Sequence, residues 1–212
     1  KTGIPQVVIS KQLKVTDNTV LDLNGTSISA IDSNETGSYA MFEVQPDATL
    51  TVNGPGSITL TATTDRQWSA YSSVISNQVG GNLAVNAGVT IEHLGGTDMA
   101  YGIDNLTNGK GTYAVTTIEN ATVKSPYRAV RQFLNGTEAQ NILTINGGTV
   151  EGANKAIWMK DPSANANTGK LVVEAGAQLK GDVYLYVCAG STTWPVEVSI
   201  ASAALVGEST VL

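Results

Sequence analysis

Seven times along this chain a short apolar strand returns, at intervals of 27 to 33 residues, and each time a second apolar residue follows five or six positions later. The first series is centred on Leu23, Val52, Val85, Ile118, Ile145, Val173 and Ile200, and the second on Ile28, Ile58, Ile91, Val123, Val150, Leu179 and Leu205. A third series, Phe42, Val74, Ile103, Val130, Ile157 and Val183, runs through the longer half of each repeat. Three strands per repeat, at a period too short for a propeller blade and without a helical period, predict a solenoid. The expected fold is all-β: one right-handed parallel β-helix of about seven coils of 27–33 residues, with three short strands per coil.

Alternation fixes the faces. In the first strands the anchor and the residue two before it are apolar, as in Leu50 and Val52, Leu83 and Val85, or Leu143 and Ile145, which puts both on one side. The residues between, Asp22, Thr51, Ala84, Thr117, Thr144, Val172 and Ser199, are then outward. After the anchor come Asn24, Asn53, Asn86 and Asn146, with Glu119 and Glu174 as exceptions. Asn tolerates the backbone angles of a corner, and coils stacked about 4.8 Å apart allow its amides to form a ladder. Residues 1–20 are expected to give an incomplete first coil or a cap to the single domain of 1–212. At the other terminus, apolar Val211 and Leu212 suggest an end cut short or covered, with oligomer formation through open coils as one outcome.

Composition narrows the function classes. A net charge of −6 with 12 scattered Lys and Arg leaves no basic surface for nucleic acid. No apolar run reaches the length of a membrane span. The only cysteine, Cys188, cannot build a disulfide framework within one chain and reads as a small buried side chain.

At LDLNGTSIS, residues 21–29, and ATLTVNGPGSIT, residues 48–59, the chain resembles the pectate-lyase-like superfamily of right-handed β-helices, above all the secreted or surface-displayed repeat proteins of gut bacteria. That resemblance implies an extracellular or bacterial cell-surface location. The superfamily's enzymes use aspartate clusters in NTD and DD motifs with GHG and RIK segments, or calcium-binding carboxylates beside an arginine; none of these strings occurs, and no matching carboxylate cluster is visible. No catalytic or metal-ligating residue is assigned, no cofactor is expected, and calcium enters only if the protein is a lyase. The single histidine, His93, is expected at a solvated corner. A regular threonine array of the ice-binding kind is interrupted by Asp22, Ala84 and Val172. Five Asn-x-Ser/Thr sequons, at Asn24, Asn34, Asn105, Asn120 and Asn135, are no more than this composition produces by chance.

One surface stands out. The residues after the third-series anchors, Glu43, Ile75, Asp104, Arg131, Trp158 and Tyr184, should form a column. Asp104, Arg131, Trp158 and Tyr184, flanked by Arg128, Lys160 and Tyr186 and walled by the insert 161–169, suit a sugar: rings stack on its apolar face and polar groups take its hydroxyls. The plainer alternative is a cross-strand salt bridge beside aromatics packed under the insert. Tyr39, Tyr71, Tyr101 and Tyr127, with Trp68 close by, are expected to pack at equivalent corners. The sequence thus points to a non-enzymatic extracellular module that binds glycans or adheres. A lyase or hydrolase of acidic glycans and a purely structural stalk or tail-fibre component stay open beside it.

Overall fold

Stacking is what lets so short a strand bury its apolar side, because a single coil has no neighbour above or below it. The computed structural model describes residues 3–34, 37–65, 70–78, 80–96, 98–110, 113–161, 168–187 and 196–212. They form a parallel β-solenoid of about 6 turns. A first ladder stacks seven strands, from Thr19–Asp22 through Thr49–Asn53, Gly81–Val85, Tyr113–Ile118, Gln140–Ile145 and Thr168–Val173 to Val196–Ile200. The second ladder contains Gln6–Ile9, Ser27–Asp32, Gly56–Ala62, Val89–Leu94 and Ala121–Ser125, and the third Leu13–Val15, Tyr39–Val44, Ser72–Gln78, Ala100–Lys110 and Arg128–Thr137. Two long strands, Gly148–Asp161 and Ala177–Val187, run through the corner and join these two ladders into one 12-stranded sheet. Gln6–Ile9 and Leu13–Val15 open the second and third ladders.

The core is a set of columns one coil apart. Val7, Ile28, Ile58, Ile91, Val123, Val150, Leu179 and Leu205 stand in one register, and Val52, Val85, Ile118, Ile145, Val173 and Ile200 in another. Most of these side chains are fully buried, and each contributes about 1.5–3 kcal/mol by leaving water.

Two coils depart from the expected register. Val52 is opposite Leu21, not Leu23. Leu23 lies past the strand, buried in the corner where Gly56 leaves room: a Cβ on Gly56 would fall 2.5 Å from that of Leu23. Asp22 therefore joins the asparagine ladder, accepting from Asn53 Nδ2 at 2.6 Å, while Asn53 accepts from Asn86 at 2.7 Å. Asn24 instead makes the turn, at φ 49°, and Val20 takes the outward place beside Thr51. Farther along, Asn146 donates to Glu119. In the third ladder Ile75, not Val74, aligns with Phe42 and Ile103. Both residues are buried, because the positions just before the anchors, including Met41, Val74, Ala129 and Ala156, also enter the core. Ser76 consequently replaces Ile75 in the outward column.

Polar groups also line part of the interior. Asn77, Asn105 and Gln132 share one inward register two residues after the anchors. Asn77 Nδ2 donates to Asn105 Oδ1 at 3.0 Å, and Asn105 Nδ2 to Asn141 Oδ1 at 2.7 Å. Thr116, standing in the apolar column of Leu83 and Leu143, donates to Asn105 Oδ1, and Gln132 reaches the carbonyls of Asn141 and Lys170. Such partners make buried amides tolerable, and among the described residues only the Oδ1 of Asn77 and the Oε1 of Gln132 in this group accept no bond. The sequon at Asn105 is therefore inaccessible.

His93 is another correction, since it is buried and not at a solvated corner. It occupies the inward column of Ala30 and Leu60, and its Nε2 lies 2.9 Å from Ser72 Oγ. Ser72 donates to Asp32 Oδ2 at 2.7 Å, so it accepts from His93 Nε2–H. This polar chain makes an imidazole tolerable inside.

Candidate binding site on the outer face of the third ladder

The stacked third strands bring Glu43, Ser76, Asp104, Arg131, Trp158 and Tyr184 into one column, each one coil from the next. The alignment of Asp104, Arg131, Trp158 and Tyr184 is thus as the spacing implies. Their exposure is not: Asp104 and Arg131 are 0% and 5% exposed, and Trp158 is 7%. Outward from the solenoid does not mean outward to water here, because a second small apolar cluster covers the middle of the column. Met99, Tyr101 and Trp158 are its buried members, with Tyr71, Tyr127 and Tyr184 packed against them.

Beneath that cover Asp104 and Arg131 form a bidentate pair, Nε to Oδ1 at 2.6 Å and Nη2 to Oδ2 at 2.5 Å. The guanidinium lies 4.6 Å from the Tyr101 ring centre, 4.9 Å from Tyr71 and 5.0 Å from Phe133. Burial works against its charge, but Asp104, Tyr101 and Tyr71 outweigh that and hold its pKa above the ordinary guanidinium value. Burial also pushes the phenols of Tyr71 and Tyr101 up to about 12, with Asp104 adding to the effect and Arg131 opposing it. Asp104 and Arg131 satisfy one another and are not open to a ligand.

Beside the covered pair is an open basin of about 390 Å³, lined by Arg128, Trp158, Lys160, Tyr184 and Tyr186. Of the residues expected at a site, these are the ones brought together at the surface. The guanidinium carbon of Arg128 lies over Trp158, 3.5 Å from the ring centre, and 4.2 Å from that of Tyr127. Lys160 Nζ is 5.4 Å from the Trp158 and Tyr186 rings. Tyr184 and Tyr186 stack with their planes 22° apart, and Tyr186 is 38% exposed. The pair beneath is linked to the basin: Tyr101, over Arg131, accepts from Arg128 Nη1 at 3.5 Å, and Phe133 lies 6.4 Å from Trp158.

The expected tyrosine corner exists in a different form. Tyr101 and Tyr127 are 6.3 Å apart at 57°, and Tyr101 and Tyr71 roof Arg131 while Tyr127 lies against Arg128. Tyr39 lies at the far end of the column, where it lines a polar recess of about 200 Å³ with Gln12, Glu43, Tyr71 and Gln78. Trp68, Cys188 and residues 162–167 of the insert lie outside the described residues.

A larger groove of about 560 Å³ follows the second ladder, between the charged column Glu92, Lys124, Glu151 and Lys180 and a rim of small residues such as Gly95 and Gly152. No Phe, Tyr or Trp ring lines it among the described residues, and its charges answer one another, Glu151 lying 3.9 Å from Lys124 and 3.7 Å from Lys180. The basin, with rings to stack on and cations beside them, is the stronger site. Among the described residues no three His, Cys, Asp or Glu side chains stand close enough to share a metal ion, and no helix is long and apolar enough to cross a membrane. Compared with protein-family models, curated proteins and solved structures, the chain gives no match.

Proposed function

We propose that this solenoid is a non-enzymatic, extracellular or cell-surface module that binds glycans in the basin of Arg128, Trp158, Lys160, Tyr184 and Tyr186. One observation carries the reading: three aromatic rings and two cations line the same open concavity. A pyranose has an apolar face that packs on such rings and hydroxyls that accept from such cations. Kinship with the pectate-lyase-like β-helices belongs to the same proposal, supported by the strand grammar and the exterior asparagine ladder.

A glycan array of plant and host polysaccharides tests it. Selective binding that disappears in Tyr186→Ala supports the proposal, and Tyr186 is the cleaner probe because Trp158 is also a packing residue. A flat array leaves the second reading, a structural stalk or fibre element, which the burial of Asp104 and Arg131 favours because a satisfied pair under a roof stiffens the face without needing a ligand.

A further inference from the structure

The coil of residues 6–22 and the coil of residues 196–212 match one another. Each core column reaches both with an apolar residue: Val7 and Leu205 in the second ladder, Leu13 and Val211 in the third, Leu21 and Ile200 in the first. Pairing at both ends is parallel. A second copy displaced along the axis without inversion therefore sets its Val7 on Leu205, its Leu13 on Val211 and its Leu21 on Ile200, and continues all three ladders. The corner fits as well. Six residues separate Val7 from Leu13 and six separate Leu205 from Val211, a spacing that none of the coils between them has. Gln6–Ile9, Leu13–Val15 and Thr19–Asp22 are edge strands, as is Val196–Ile200, so their outer backbone groups stand where a further strand would pair.

The outward residues carry the same match. Along the second ladder they are polar from Ser29 and Thr59 to Lys180. Val8, below Ser29, is nonetheless 74% exposed, and Val206, the residue after Leu205, is exposed too. In the stack described, these two valines become neighbours and leave water together. Charge agrees with this alignment. From Gln6 to Val15 the charged side chains are Lys11 and Lys14, both exposed, and from Ala204 to Leu212 the only one is Glu208, also exposed. Glu208 then falls beside Lys11 of the next copy, and Leu212 beside the stem of Lys14. Lysine on an edge strand wards off a like edge, which disfavours two copies meeting at their 6–22 coils and admits the coil that carries Glu208.

We infer that this chain associates with itself head to tail, the coil of residues 196–212 in one copy stacking on the coil of residues 6–22 in the next. Such an interface is heterologous and does not close, so assembly runs past two copies into a rod. The inference is independent of the glycan-binding reading.

Sedimentation of the 212-residue chain across a concentration series tests this. The mean mass is expected to rise with concentration past two copies, without a limiting size, and to fall again on dilution. Val8→Asp and Val206→Asp should each weaken association at least ~10-fold, because the new carboxylate would be buried against a valine. Both residues are exposed and outside the core, so melts of the dilute variants should be those of the unmodified protein. Each variant keeps one end intact. Mixed in equal amounts they should form dimers and nothing larger, an outcome that only a head-to-tail contact gives. Glu208→Lys should weaken association several-fold, and Lys11→Glu in the same chain should restore it. A chain that stays monomeric up to about 1 mM overturns the inference. So does assembly that stops at two copies, which is the mark of a two-fold contact, or growth that both valine variants leave unchanged. Reversible growth of the unmodified chain past two copies supports it even where a variant fails to fold.

Discussion

The outer faces of the second and third ladders use one device with opposite results. On the second, Glu92, Lys124, Glu151 and Lys180 alternate in sign up a column, and on the third Asp104 meets Arg131. In each case parallel stacking sets opposite charges one coil apart. On the second ladder the side chains of Lys124, Glu151 and Lys180 remain 41–46% exposed, at 3.7–3.9 Å, where water and salt leave a pair worth about 0–1 kcal/mol. On the third, Tyr71, Tyr101 and Phe133 close over the pair, which is drawn to 2.5–2.6 Å. The charges alone do not distinguish the faces; the roof does.

The contrast is broken most severely by leaving one charge buried alone. Asp104→Ala is expected to cost about 3–5 kcal/mol in chemical denaturation. Exchanging both partners for apolar residues, Asp104→Leu with Arg131→Met, should instead be neutral or stabilising by about 1–4 kcal/mol; a loss as large as that of the single variant would show that the pair, not its roof, holds the face. Opening the roof comes next. Tyr101→Ala removes a fully buried ring and should cost about 3 kcal/mol, with the third face becoming salt-sensitive like the second. If the melting temperature of this variant responds to salt no more than that of the unmodified protein, the roof is not what separates the two faces.

Alkali sharpens the comparison without mutation. Tyr71 and Tyr101 have pKa values raised from 10.0 to about 12, so folding favours their neutral form. Their contribution to stability is complete below about pH 10 and is lost as pH rises through about 12. Ultraviolet titration should show these two phenols ionising late, and stability should fall across that window; titration of all seven tyrosines near 10 would mean the roof is open. The smallest effect belongs to the second ladder, where Lys124→Gln should change stability by less than about 1 kcal/mol.

The sequence exposes different parts of this molecule unequally. The second-ladder anchors are all in the register that their spacing implies, because each strand there is bounded by a short corner of nearly constant length. Leu23 misleads because Leu21 and Leu23 share a face, so a slip of two preserves the alternation. Val74 misleads because Val74 and Ile75 are both core, and a bent strand buries consecutive residues. That second slip has a consequence: with Ile75 as anchor, Asn77, Asn105 and Gln132 fall at one offset, and the interior amide ladder becomes visible in the sequence. His93 is missed because its acceptor, Ser72, comes from another strand, 21 residues earlier.

At the candidate site, the column Asp104, Arg131, Trp158 and Tyr184 is legible from spacing, as are its neighbours Arg128, Lys160 and Tyr186. Which of them meet solvent is not. Tyr101 roofs the pair from the strand of Asp104 itself, Tyr71 from the coil beneath, and Phe133 from two residues along the strand of Arg131.

What the amino-acid order determines alone is the period, the strands, their inward and outward sides, and so the stacking that makes residues a coil apart into neighbours. What only the folded molecule decides is which outward residues are covered: Asp104 and Arg131 sealed, Arg128 and Tyr186 left at an open basin. Alternation is a property of a single strand, set by backbone geometry within a few residues, whereas a roof is made by side chains from several coils whose corners and rotamers settle together.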